Sequence, residues 1–278
     1  MTLHNRPALA VQAVIFDWAG TLVDFGSLAP TQIFVDAFKS FDMHLTLAQA
    51  RGPMGLSKWQ HIRTLLDEPS IAAQWKATTG RAPADADVDA IYAHFMPMQI
   101  AKVGEYSHAI DGAAATLAEL RAQGLKIGSC SGYPRQVLDV LLPLAATFGI
   151  APDHVVAGDE LDAGGRPGPF MALANVLALK VGDVAACIKV DDTVPGIHEG
   201  VRAGMWSIGV SLTGNEVGLT AAQAAAMPAA ELAALKSRAE ERLRAAGAHY
   251  VIDSVAQLPE VVAAIGKRLA AGERPGSC

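Results

Sequence analysis

Asp17 closes an unbroken apolar run, Ala13-Val14-Ile15-Phe16, and the chain then turns at Trp18-Ala19-Gly20-Thr21. A carboxylate at the carboxyl end of a buried strand stands where open α/β sheets carry their chemistry, and it is a candidate nucleophile. Two residues on stands Ala19, so no second carboxylate sits beside it as acid or base. Three further strand ends are polar or glycine-rich. In Ser129-Cys130-Ser131-Gly132-Tyr133-Pro134 a hydroxyl and free backbone amides precede a helix, whose amino terminus attracts phosphate, so Ser131 with Gly132 is a candidate cradle. Gly164-Gly165-Arg166-Pro167-Gly168-Pro169 holds one cation, Arg166, whose fork suits phosphate oxygens. Val190-Asp191-Asp192-Thr193 ends a strand with adjacent carboxylates, which together with Asp17 could hold Mg²⁺. Each motif alone is common in caps and turns. At one edge of one sheet they would assemble a nucleophile, phosphate donors, a cation and a metal site.

A second centre lies in Arg51-Gly52-Pro53-Met54-Gly55-Leu56-Ser57-Lys58-Trp59-Gln60-His61. If this stretch is helical from about Met54, then Met54, Lys58 and His61 are spaced i, i+4 and i+7 and share a face. Desolvation and nearby positive charge lower a lysine's pKa, which prepares the amine to attack a carbonyl.

Six short β-like runs could position these groups: Val11 to Phe16, Leu125 to Cys130, His154 to Ala157, Ala186 to Val190, Trp206 to Val210 and His249 to Ile252. Helical patterns separate most of them, as in Ala113 to Gln123, Arg135 to Phe148, Phe170 to Leu179 and Gly196 to Ala203. Strands alternating with helices imply parallel pairing, hence an α/β fold with a doubly wound sheet. Residues from about 27 to 104 break the rhythm with helical periodicity and no convincing strand, too long for a plain crossover. We therefore expect an α/β core of residues 1–26 and 104–278 and an inserted helical cap of residues 27–103, hinged near Phe25-Gly26 and Lys102-Val103-Gly104. Ala229 to Ala246 reads as an amphipathic helix without chemistry of its own.

The 278 residues are 51% hydrophobic, which supplies a sizeable core, and the net charge of −6 argues against a nucleic-acid surface. A small anionic substrate held by a few local cations remains open. Cys130, Cys187 and Cys278 are widely spaced and fit reduced thiols, while no histidine pair has zinc-ligand spacing beside a cysteine pair. Met1 to Leu9 shows no long apolar stretch behind a basic head, and no apolar run approaches ~18 residues. The expectation is a soluble, cytoplasmic protein with no membrane contact.

Asp17 at the end of strand one and an acidic pair at a later strand end resemble the haloacid dehalogenase superfamily. The chain is further similar to its phosphonoacetaldehyde hydrolase family in Asp-Trp-Ala-Gly-Thr, Pro-Met-Gly-Leu-x-Lys, Ser-Gly-Tyr at 131 to 133, Gly-Arg-Pro at 165 to 167, Ala-Gly-Met-Trp at 203 to 206 and Gly-Leu-Thr at 218 to 220. The likeness runs from about residue 11 to 254. It implies hydrolysis of phosphonoacetaldehyde, a small phosphonate, to acetaldehyde and phosphate, with Lys58 forming a Schiff base and Asp17 an aspartyl phosphate. It also implies Mg²⁺ bound by the Asp17 carboxylate, the Ala19 carbonyl and Asp192. Ser131, Gly132, Tyr133, Arg166 and Thr21 would then contact the substrate, and His61 with Met54 would serve proton transfer. A homodimer is typical of the family. One departure stands out: many superfamily members read Gly-Asp-Thr-Val with another aspartate four residues after the first, whereas here Asp191-Asp192-Thr193-Val194-Pro195-Gly196 moves the second carboxylate to the preceding position. Asp191 is then an outer binder of metal-bound water or a direct ligand. A magnesium phosphatase or phosphomutase is disfavoured by Ala19, since an alkoxide leaving group would lack its acid. A metal-free dehalogenase would leave the three carboxylates repelling one another. A silent ligand-binding core would retain every reactive side chain without using it.

Overall fold

The computed structural model describes residues 10–276; the reading of Met1 to Leu9 and that of Cys278 fall outside them. Six strands form one sheet, β1 Ala13–Phe16, β2 Lys126–Cys130, β3 His154–Val156, β4 Cys187–Asp191, β5 Trp206–Val210 and β6 Tyr250–Ile252. All neighbours are parallel, in the order β3-β2-β1-β4-β5-β6. The expected strands are all present within two residues of their predicted starts, because each is a short apolar run stopped by glycine or polar residues.

β1 is apolar and buried along its whole length, as a central parallel strand must be. Its side chains alternate between two layers. Val14 and Phe16 face a cluster supplied partly by α6 Ala113–Ala122, α7 Arg135–Thr147 and α12 Leu258–Ala270, while Ala13 and Ile15 face α8 Phe170–Ala178. On β4 and β5 packs α9 Val194–Ala203, and α11 Ala229–Ala245 packs beside β5 and β6 behind the short α10 Ala221–Ala226. Helices thus cover both faces of a doubly wound sheet.

Between β1 and α6 come five α-helices and no strand, α1 Leu28–Lys39, α2 Leu47–Arg51, α3 Lys58–Asp67, α4 Pro69–Thr79 and α5 Asp85–Lys102. Their apolar faces, among them Phe34, Phe38, Ile62, Leu65 and Phe95, join the same buried cluster as Val14 and Phe16. No helix among the described residues is long and apolar enough to cross a membrane.

The strand order reverses between β1 and β4, and in such sheets the crevice outside the carboxyl ends at that switch point takes the ligand. Phe16 pairs with Val190 and the Asp17 amide donates to the Val190 carbonyl at 2.9 Å, which brings Asp17 level with Asp191. Because Ile188 of β4 is wholly buried in that cluster, Ile188→Ala should cost roughly 2–5 kcal/mol. A lower urea midpoint at unchanged slope is the expected signature.

Candidate active site

Burial decides the chemistry at the switch point. The turn after β1 carries Gly20 at φ +79°, and a Cβ there would lie 2.1 Å from Asp192 Oδ2, so glycine lets the Asp17 and Asp192 loops close on each other. Trp18 Nε1 donates to Ser129 Oγ at 3.1 Å and ties the β1 and β2 ends together. Asp17, Asp191 and Asp192 each offer a carboxylate oxygen within 4.8 Å of the others, all of them buried.

Two cations answer them. Arg166, 1% exposed, donates Nη2 to the Cys130 carbonyl at 2.9 Å and Nε to Glu199 at 2.8 Å, and the same Nη2 forms ion pairs with Asp17 at 2.8 Å and Asp191 at 3.1 Å. Lys189 Nζ lies 2.5 Å from Asp191 and 3.7 Å from Glu199. Burial opposes charge on both, but the carboxylates outweigh it and hold each pKa above its ordinary value. Asp191 is pushed up by burial and pulled down further by Arg166 and Lys189, which keep it ionised. Asp17 is raised to about 6, by burial first and Asp191 second, against Arg166 and Lys189. Asp192 is raised well above the carboxylate range by burial, Asp17 and Asp191.

A divalent cation fits this set. Asp17, Asp191, Asp192 and Glu199 are four buried carboxylates against the two charges of Arg166 and Lys189. Asp192 Oδ2 accepts from the Asn215 amide at 2.7 Å, while its buried Oδ1 has no protein partner. An orphaned carboxylate oxygen beside an excess of negative charge suits a hard cation that takes oxygen ligands. Asp191, by contrast, is occupied by Lys189, Arg166 and both Thr193 donors. A Cβ on Gly196 would stand 1.9 Å from the Asp191 carboxyl carbon, so the Asp191 side chain fills the room that a side chain at 196 would need.

Lys58 opens α3 and is 3% exposed. Its Nζ stands 4.9 Å from the Tyr133 ring centre and 5.6 Å from that of Phe34. Aromatic faces attract an ammonium. Burial nonetheless brings the pKa down to about 7, with Arg166 adding to the fall and Asp17 opposing it. His61 stacks on Phe34 at 3.8 Å, with Nε2 at 2.9 Å from the Ala50 carbonyl and a buried, unpartnered Nδ1. That contact requires the Nε2–H tautomer, which leaves the lone pair on Nδ1. Burial and the nearby Lys58 push the His61 pKa well below its usual value.

One small cavity of about 20 Å³ is lined by Asp17, Ala19, Met54, Lys58, Ser131, Gly132, Tyr133, Arg166 and Asp192. Thr21 and His61 do not line it. Thr21 is buried with its hydroxyl unpartnered, and His61 lies behind Phe34. The helical reading from Met54 is corrected: residues 52–56 are turns, Gly55 has φ +94°, and α3 begins only at Lys58. Met54 reaches the same cavity from the turn, not from a shared helix face. Lys189 and Glu199 escaped the sequence reading, although a lysine inside Cys187-Ile188-Lys189-Val190 is a visible anomaly.

A haloacid dehalogenase-like hydrolase model matches residues 11–204. Phosphonoacetaldehyde hydrolase of Klebsiella pneumoniae subsp. pneumoniae is 60% identical over 266 residues, 95% of this chain and 99% of that protein. The chain belongs to the phosphonoacetaldehyde hydrolase family of haloacid dehalogenase-like hydrolases. The Salmonella typhi phosphonoacetaldehyde hydrolase is 59% identical over the same shares of both chains. A crystal structure of a phosphonoacetaldehyde hydrolase-like protein from Oleispira antarctica superposes with a TM-score of 0.95 at 44% identity, covering 99% of this chain and 100% of that one. Against this fold the charge excess makes a definite prediction. Divalent cation at a hundredfold excess over its Kd should raise stability by about 2.7 kcal/mol, read as a higher Tm. Asp192→Asn should remove most of that gain, and a Tm indifferent to the cation in the unaltered protein would count against the site.

Proposed function

We propose that this chain hydrolyses the carbon–phosphorus bond of phosphonoacetaldehyde, through an imine on Lys58 and an aspartyl phosphate on Asp17. The observation that carries the reading is a buried amine, Lys58, sharing one cavity with a strand-end carboxylate that has no acid two residues on. An alkoxide leaving group would call for that acid. A carbon leaving group calls instead for an acceptor of the bonding electron pair.

In this scheme the neutral Lys58 amine attacks the aldehyde carbon. Water departs from the carbinolamine and leaves a protonated imine. The Nδ1 lone pair of His61 is assigned to assist these transfers, because its Nε2–H is committed to Ala50. The Asp17 carboxylate, held by Arg166 at 2.8 Å, attacks phosphorus. The P–C electron pair moves into the imine, giving an enamine on Lys58 and an acyl phosphate on Asp17. Protonation at carbon and hydrolysis of the imine release acetaldehyde and free the amine, and water cleaves the acyl phosphate. Arg166, Ser131 and the Gly132 amide are assigned to the phosphoryl oxygens, and Tyr133 and Met54 to the walls around Lys58. Mg²⁺ held by Asp17, Asp192 and the Ala19 carbonyl would supply charge neutralisation at those oxygens, with Asp191 kept in place by Lys189 and Arg166.

Borohydride added during turnover should fix a stable label on Lys58, and Lys58→Arg should neither label nor release phosphate above background. Phosphate release by that variant at the rate of the unaltered enzyme ends the imine reading. The pH dependence follows from the amine: it must shed its proton, so initial labelling should climb as pH rises through about 7 and then level off. A climb delayed to the ordinary lysine range near ~10 would show that the amine is not desolvated at work.

A further inference from the structure

The segment carrying Met54 and Lys58 meets the sheet edge backbone against side chain and backbone, with no slack. A Cβ on Gly55 would stand 2.3 Å from Thr193 Oγ1, and one on Gly132 would stand 2.4 Å from the Leu56 carbonyl oxygen. Contact this close holds only at short range, since dispersion falls steeply as a gap opens. A directional tie is present at one end of the segment. From the end of α2 the Arg51 guanidinium donates Nη1 to the Gly26 carbonyl at 2.9 Å and Nη2 to the Gly218 carbonyl at 3.0 Å, with Nη1 also 3.4 Å from the main-chain and side-chain oxygens of Asn215. Asn215 Nδ2 donates back to the Arg51 carbonyl at 3.5 Å. Gly218 has φ +64°, and a Cβ there would stand 2.6 Å from the guanidinium, so the loop has no room for a side chain where Arg51 lies.

Two of these acceptors connect to the site. Gly26 precedes α1, where the inserted helices begin. Asn215 gives its amide to Asp192 Oδ2 at 2.7 Å. We propose that Arg51 is a positioning residue that clasps the segment 51–58 onto the sheet edge, so that Lys58 faces Asp17, and steadies Asp192 through Asn215. The proposal rests on the role given to Lys58 above. The cavity of about 20 Å³ holds little more than one water, so the clasp must loosen to admit a substrate. Its acceptors are neutral carbonyl oxygens, which makes release cheaper than parting a buried ion pair. Lysine cannot replace it, because a single ammonium point does not span carbonyls that a planar fork reaches together.

The test uses the full chain, with Arg51→Lys and Arg51→Ala beside the unaltered protein. Three quantities are read: amide hydrogen exchange over residues 213–219, the rate of borohydride labelling of Lys58 with phosphonoacetaldehyde, and Tm. Both variants should exchange faster over 213–219 and label roughly tenfold to a hundredfold more slowly, the loss expected for a reacting group displaced by about 1 Å. Added guanidinium ion should restore part of the labelling in Arg51→Ala. Unchanged exchange overturns the clasp. So does labelling at the unaltered rate, whether or not Tm falls, since a purely structural arginine would move Tm alone. If the unaltered protein fails to label, the imine reading is lost, and exchange over 213–219 by itself still decides whether Arg51 clasps.

Discussion

The Arg166 guanidinium, almost wholly buried, bridges Asp17, Asp191 and Glu199, and through it the ends of β1, β4 and α9 share one charge balance. Glu199 also accepts from the Ala172 amide at 3.1 Å, which fixes the first turn of α8 to the same group. Removing one member of such a set leaves its partner charged and dry, which typically costs 3–5 kcal/mol. The cluster is therefore a constraint on sequence as well as a tool for catalysis. Nucleophile, cation and outer carboxylate can be oriented only together.

The same interior holds two lysines in opposite states, and their neighbours explain why. Lys189 touches Asp191 and stands near Glu199, so coulombic attraction outweighs burial and it keeps its proton. Lys58 has aromatic rings for walls, with Asp17 on one side and Arg166 acting against it, so burial wins and the proton is held only to about pH 7. The distinction is geometric rather than compositional. A carboxylate adjacent to Lys58 would return its amine to the charged form and remove its nucleophilicity.

The sheet was legible because its order follows from local rules. Apolar runs such as Ala13 to Phe16 end in polar or glycine residues, and the carboxyl ends of parallel strands share one edge by topology. That brought Asp17, Ser131 and Asp192 to one cavity, whereas Arg166, read as lying at a strand end, reaches it from the long loop between β3 and α8. The turn around Met54 was not legible from spacing, since Pro53 and the left-handed Gly55 interrupt the helix that the i, i+4 pattern suggested. Thr21 shares a turn with Asp17, but sequence adjacency does not set side-chain direction, and it does not line the cavity. Glu199 lies between Ile197 and Gly200 on the buried face of α9, where a charge makes sense only once Arg166 is known to meet it.

The burial of the site and the state of Lys58 are one requirement seen twice. Under the proposed mechanism, an amine exposed to water would be protonated at neutral pH and inert toward an aldehyde, and an acyl phosphate exposed to water would be lost to hydrolysis out of order. Closing the 52–58 segment over the strand ends meets both demands, because the burial that lowers the lysine's pKa is the burial that limits water at Asp17. Closure also raises the Asp17 pKa to about 6, which works against an ionised nucleophile. Arg166 at 2.8 Å offsets part of that penalty, and a cation shared with Asp192 would offset more. A positive charge beside the carboxylate, and no carboxylate in contact with the amine, favours the unprotonated form of both Asp17 and Lys58 in one cavity.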